Sequence, residues 1–177
     1  MTSPEIEKYS YVSRILHWVA ALLIGGLFGL GLWMTDLDYY STWYQTAPQL
    51  HVLAGLILLL IMISRVVARL FSVTPAALPQ LSQFEVTASH LAHLLLYLVT
   101  FIILASGYLI VASGEPMSLF DWFEVPIIGT IFDQQEDIAG DIHYWSAWLV
   151  VVLALAHGAA AIKHHLISGD DTLRRML

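Results

Sequence analysis

The chain has 177 residues, 58% of them hydrophobic and 12% charged, with a mean hydropathy of +0.73. That is too apolar for a soluble domain, in which about a quarter of residues are charged. The net charge of −7 sets nucleic acid aside as a partner, and the absence of cysteine excludes disulfides, iron–sulfur clusters, covalent Cys-x-x-Cys-His haem attachment and thiolate chemistry.

Four windows lack Asp, Glu, Lys and Arg: 15–35, 45–64, 86–114 and 142–162. A helix needs about 20 residues to cross the hydrocarbon core, so each window is long enough to span. With their flanks, the predicted spans are 12–35, 48–71, 86–112 and 141–166. The expected fold is an all-α integral membrane protein, a four-transmembrane-helix bundle forming a single domain over 1–177.

Residues 1–11 read as a short polar lead. The first span does not read as a secretory leader. Trp33, Met34 and Thr35 follow it instead of a small-residue cleavage site, and His17 lies in its first turn. It also carries Gly25, Gly26, Gly29 and Gly31, which leave room for a close helix or a flat macrocycle. Tyr39, Tyr40, Trp43 and Tyr44 in the next connection suit an interfacial belt. Pro48 suits the first turn of span two. Pro75 and Pro79 make the 72–85 link an ordered turn. The 115–141 connection, with Pro116, Phe120, Trp122 and Pro126, is apolar enough to fold over the bundle as a cap.

All seven basic residues, Lys8, Arg14, Arg65, Arg69, Lys163, Arg174 and Arg175, fall on one side of these spans. The opposite connections hold nine acids and no Lys or Arg: Asp36, Asp38, Glu115, Asp121, Glu124, Asp133, Glu136, Asp137 and Asp141. The positive-inside rule places both termini in the cytoplasm and the acidic face outside, in the periplasm of a Gram-negative host.

Eight histidines is a large number for such a chain, and an ionisable or metal-binding residue within a span points to function. His143 and His157 lie fourteen residues apart in the last span. Fourteen steps advance about 21 Å along a helix and return to within about 40° of the starting direction. Two imidazoles so placed suit two stacked haems across a bilayer, one near each face. By depth, His17 matches His157 on the basic side, and His51 matches His143 on the far side. His90 and His93 lie near the depth of His17, and depth alone leaves either open as a ligand. Arg14, Arg65 and Arg69 stand at the level of the basic-side pair, as candidate partners for haem propionates or as snorkelling anchors. His164 and His165 follow Lys163 at the membrane surface. On the far side, propionates would have to rely on Gln49, Tyr, Trp or backbone donors.

The stretch Tyr9 to Trp18, with Ser13 and His17-Trp18, resembles the start of bacterial cytochrome b561 proteins. So do Ala47-Pro48-Gln49-Leu50-His51, His90-Leu91-Ala92-His93, His157-Gly158-Ala159-Ala160-Ala161-Ile162-Lys163-His164-His165 and Asp170-Asp171-Thr172-Leu173-Arg174-Arg175-Met176. Gly31-Leu32-Trp33-Met34 and Tyr39-Tyr40 resemble a branch sometimes encoded beside a periplasmic polyisoprenoid-binding protein of lipocalin-like shape. The resemblance covers nearly the whole chain. It implies a multi-pass inner-membrane cytochrome with two haem b, ligated by His17 and His157 and by His51 and His143. It also implies ubiquinone or another quinone as mobile redox partner, and chooses these pairs over His90 and His93.

The expected function is electron transfer between a quinone pool and a periplasmic-side partner or substrate, with Lys163, His164 and Arg14 as candidates for a quinone site. The alternative is a haem-bearing membrane-anchor subunit for a soluble dehydrogenase or hydrogenase. Superoxide, an anion, is poorly suited to the acidic face. A neutral isoprenoid or quinone, or a basic protein, suits it better.

Overall fold

The computed structural model describes residues 6–113 and 116–177. Glu115, Gly114 and the first five residues of the polar lead lie outside them. Four long helices follow in order: α1 (Tyr11–Thr35), α2 (Thr46–Phe71), α3 (Gln83–Ala112) and α4 (Gln135–Lys163). Each is long and apolar enough to cross a membrane. Leu22, Leu60 and Leu155 are 75%, 66% and 69% exposed, as helix faces turned to lipid would be.

Two helices begin earlier than the charge pattern indicated. At the start of α3, the Ser82 hydroxyl accepts the Glu85 N–H at 3.3 Å, and the Ser82 N–H donates to the Glu85 carboxylate at 3.0 Å. This reciprocal cap extends the helix three residues beyond the apolar window. α4 begins at Gln135 instead of 141. Glu136, Asp137 and Asp141 therefore lie in its first two turns, where negative charge favours the N-terminal end of the helix dipole. Gln135 is buried and ties this start down. Its side chain accepts the Ile131 N–H at 2.8 Å and donates to the Leu109 carbonyl at 3.0 Å.

The connection before α4 does cap the far end, and it contains a hairpin that the sequence reading lacked. β1 (Ser118–Leu119) pairs antiparallel with β2 (Phe123–Glu124), Ser118 opposite Glu124. Leu119 and Val125 are buried. The Gln49 side chain accepts the Phe120 N–H at 3.1 Å, fastening the hairpin to the first turn of α2.

Packing is strongest within two helix pairs, α1 with α2 and α3 with α4; the α2–α3 and α1–α4 seams are sparser. A mid-depth core of Ala20, Leu58 and Met62 joins α1 to α2, with Tyr97, Phe101 and Leu104 of α3 packed against it. Phe28 and Trp148 meet edge to face at 4.9 Å across the α1–α4 seam. A second set of buried residues, Ala47, Ala112, Gln135 and Ala139, packs the far end of the bundle.

After α4 the helix widens into a π-helical turn, His164–Ser168, which Gly169 ends at φ 68°. The following residues fold back across the basic end. The Tyr9 N–H donates to the Arg175 carbonyl at 3.1 Å, the Trp18 indole to the Met176 carbonyl at 3.0 Å, and the Arg175 guanidinium to the Ala76 carbonyl at 2.7 Å. This strap links α1, the α2–α3 connection and α4.

Candidate functional site

The bundle gathers six of its histidines into three groups. On the far side, His51 of α2 faces His143 of α4, with ring centres 6.0 Å apart and planes at 71°. On the basic side, His17 of α1 faces His157 of α4 at 6.2 Å, again at 71°. His93 of α3 joins the second group, 5.2 Å from His157. The third group is His164 with its acidic partners at the rim. Among the described residues, no three His, Asp or Glu side chains converge as they would in a protein-only metal centre.

The far-side rings are held closely. The His143 Nδ1 lies 2.9 Å from the Ile103 carbonyl, which can only accept, so Nδ1 carries the proton and Nε2 is left free. Ser106 Oγ is 3.5 Å from the same nitrogen. The His51 Nδ1 is buried without a hydrogen-bond partner. Each ring also lies against a glycine. A Cβ at Gly31 would meet His51 Cε1 at 3.2 Å, and one at Gly107 would meet His143 Cε1 at 2.9 Å. Gly25, Gly26 and Gly29 have no such neighbour. Of the four glycines singled out in span one, only the last makes a close approach.

On the basic side, the Arg65 Nη1 and Arg14 Nε are buried and unpartnered. Arg65 lies over the Tyr97 ring at 5.6 Å. Another guanidinium nitrogen of Arg14 donates to the Leu177 carbonyl of the strap. A small recess of about 50 Å³ brings Tyr9, Ser13, Arg65, Arg69, Tyr97 and Met176 together. Beside it, a cleft of about 460 Å³ opens between α2 and α3, lined by Arg69, His90, His93, Tyr97, Val66 and Leu94. His90 is thus a wall of this cleft, and His93 belongs to both the cleft and the histidine group.

Lys163 and His164 form a rim network. Lys163 Nζ is 3.1 Å from Glu85, and His164 Nε2 is 3.8 Å from the same carboxylate oxygen. His164 Nδ1 meets Asp170 at 2.7 Å. Burial alone would raise the Asp170 pKa, but hydrogen bonds from Thr172 and His164 outweigh it and hold the carboxyl below its ordinary value. Sequence reasoning passed over Asp170. Its partner is six residues away through a π turn, and no helical spacing anticipates that contact.

A profile of the prokaryotic cytochrome b561 family matches residues 8–177. The chain belongs to that family. It is 46% identical to cytochrome b561 homolog 2 of Escherichia coli K12 over 172 residues, covering 97% of this chain and 92% of that protein. It is 25% identical over 173 residues to E. coli cytochrome b561 homolog 1 and to a probable superoxide oxidase, CybB, of Yersinia pestis. Those matches cover 97% of this chain and 98% and 96% of the two relatives. Membership and the four spans make this cytochrome b561-family chain a multi-pass bacterial inner-membrane protein of haem-b electron transfer.

The residues of this cytochrome fit that cofactor. With no cysteine, nothing can attach a haem covalently. His143 presents a free Nε2, and a proton on the other nitrogen is the usual arrangement behind a metal-bound imidazole. The unpartnered nitrogens of Arg14 and Arg65 are donors suited to carboxylates such as propionates.

Proposed function

We propose that this chain holds two haem b and passes electrons through them between membrane quinone and a partner on the far side. The observation that carries this reading is the spacing of the two facing pairs, His51–His143 at 6.0 Å and His17–His157 at 6.2 Å. Imidazole rings with centres about 6 Å apart would leave room for one haem iron to be held between them. The His93–His157 distance of 5.2 Å is too short for that. His17 is therefore the better partner, as the family resemblance also implies, and His93 stands beside the pair.

Haem b supplies one-electron redox chemistry when bound. The protein's part is to orient His17, His51, His143 and His157 and to keep the mid-depth core free of water. Arg14, Arg65 and Arg69 offer positive charge to the basic-side propionates. Quinone arrives from the lipid at the basic end. There the α2–α3 cleft opens beside His93, and Lys163 and His164 stand at the rim with Glu85 between them.

The far-side partner is neutral or basic. Eight of the nine far-side acids lie in described residues, and no Lys or Arg offsets them. An anion such as superoxide is repelled by that field. A neutral isoprenoid carried by a lipid-binding protein, or a basic redox protein, is not.

The test is a pyridine haemochrome assay of detergent-purified protein, which should give two haem b per chain. His143→Ala should remove one haem and leave the other; a colourless wild type, or a variant that keeps both, would overturn the assignment. Quinone reduction by the isolated chain supports the conduit. A strict need for a soluble dehydrogenase or hydrogenase would favour the membrane-anchor alternative.

A further inference from the structure

The far-side pair is seated in a way the basic-side pair is not. Gly31 and Gly107 lie on α1 and α3, the two helices that contribute neither of the far-side imidazoles. At Gly31 an added Cβ would stand 3.2 Å from His51 Cε1 and 3.7 Å from Nδ1. At Gly107 it would stand 2.9 Å from His143 Cε1 and 3.0 Å from Nδ1, closer than real Cβ atoms come. Both glycines are within helices, where backbone entropy favours alanine by about 1 kcal/mol. Their value must therefore come from the space they leave. On the basic side, no glycine among the described residues makes such an approach to His17, His93 or His157.

We infer that Gly31 and Gly107 are positioning residues for the far-side haem, fixing the imidazole planes of His51 and His143 by shape. The inference rests on the two-haem reading above. The two seats differ in kind. The His143 plane is set twice, by Gly107 and by the Nδ1 hydrogen bond to the Ile103 carbonyl at 2.9 Å. His51 has no such bond among the described residues, so its plane depends on Gly31 and on the fit of the ring into the α1–α2 seam. A methyl group at Gly107 must push the ring off its hydrogen bond, because the helix backbone behind it does not yield. A methyl group at Gly31 asks His51 for only a few tenths of an ångström.

The experiment uses the haem-loaded full chain in detergent, with the basic-side haem of the same molecule as internal control. Gly107→Ala should reduce the haem content from two to one per chain and leave the basic-side haem's midpoint potential in place. Gly31→Ala should keep both haems. It should shift the midpoint potential and the low-field EPR line of the far-side haem alone, since that line follows the angle between the imidazole planes. Two unperturbed haems in Gly107→Ala overturn the inference, as does equal loss of both haems from folded protein. If Gly107→Ala does not accumulate, Gly31→Ala decides: a far-side signal identical to wild type overturns the proposal, and a shifted one supports it. A haem-free wild type would instead overturn the two-haem reading itself.

Discussion

Asp170 shows how much one side chain can hold. It is 4% exposed, accepts from the Thr172 N–H at 2.9 Å and meets His164 Nδ1 at 2.7 Å. It thereby pins the strap to the end of α4. Asp170→Ala removes a buried, charge-assisted acceptor and should cost roughly 1–3 kcal/mol, read as a lower melting temperature. The pH dependence follows from the lowered pKa. Above the unfolded-chain value of about 4 the carboxylate is charged in both states, and its stabilisation is complete. As pH falls toward the folded value, the unfolded chain takes up the proton first and the stabilisation is lost. The melting-temperature gap between wild type and Asp170→Asn should therefore shrink as the pH falls below about 4. A gap that widened on acidification would contradict this account.

Among the elements, the hairpin is locally the least comfortable. Phe120 and Asp121 occupy its turn with φ of 53° and 60°. A turn with both central residues at positive φ favours Asn-Gly there, because a left-handed backbone crowds Cβ against the carbonyl. An aromatic residue there is costly. Replacing the pair, Phe120→Asn with Asp121→Gly, should stabilise the detergent-purified protein by about 1 kcal/mol. An unchanged or lower melting temperature would mean that the contacts of Phe120 outweigh its backbone strain. The helices illustrate the opposite case. Ser82 and Glu85 already satisfy the start of α3, and the acids in the first turns of α4 match its dipole.

At the scale of the whole molecule, charge is separated along the membrane normal. Arg69 lines the cleft with His90 and His93, while the connections at the far end carry acids and no Lys or Arg. Negative potential favours ferric over ferrous iron. On the proposed two-haem reading, the far-side haem should therefore have the lower midpoint potential, and added salt should narrow the gap by screening exposed acids. A redox titration of wild type, with each haem assigned through His143→Ala and His17→Ala, measures this. A far-side potential above the basic-side one would refute the electrostatic picture.

The sequence by itself determined the four spans and the level at which the paired histidines stand along them. Hydrophobic length and charge are summed along the chain and need no partner. His143 and His157 could be read together because one helix carries both. Helix starts were less legible: Gln83 and Gln135 depend on a reciprocal cap and a buried amide, which override the charges used to mark the edges. What only the tertiary structure decided lies between elements. The closeness of His93 to His157, the glycine seats of His51 and His143, and the capture of His164 by Asp170 each need two segments brought together at ångström scale. Local periodicity holds no record of that distance, because it depends on how neighbouring helices rotate and pack.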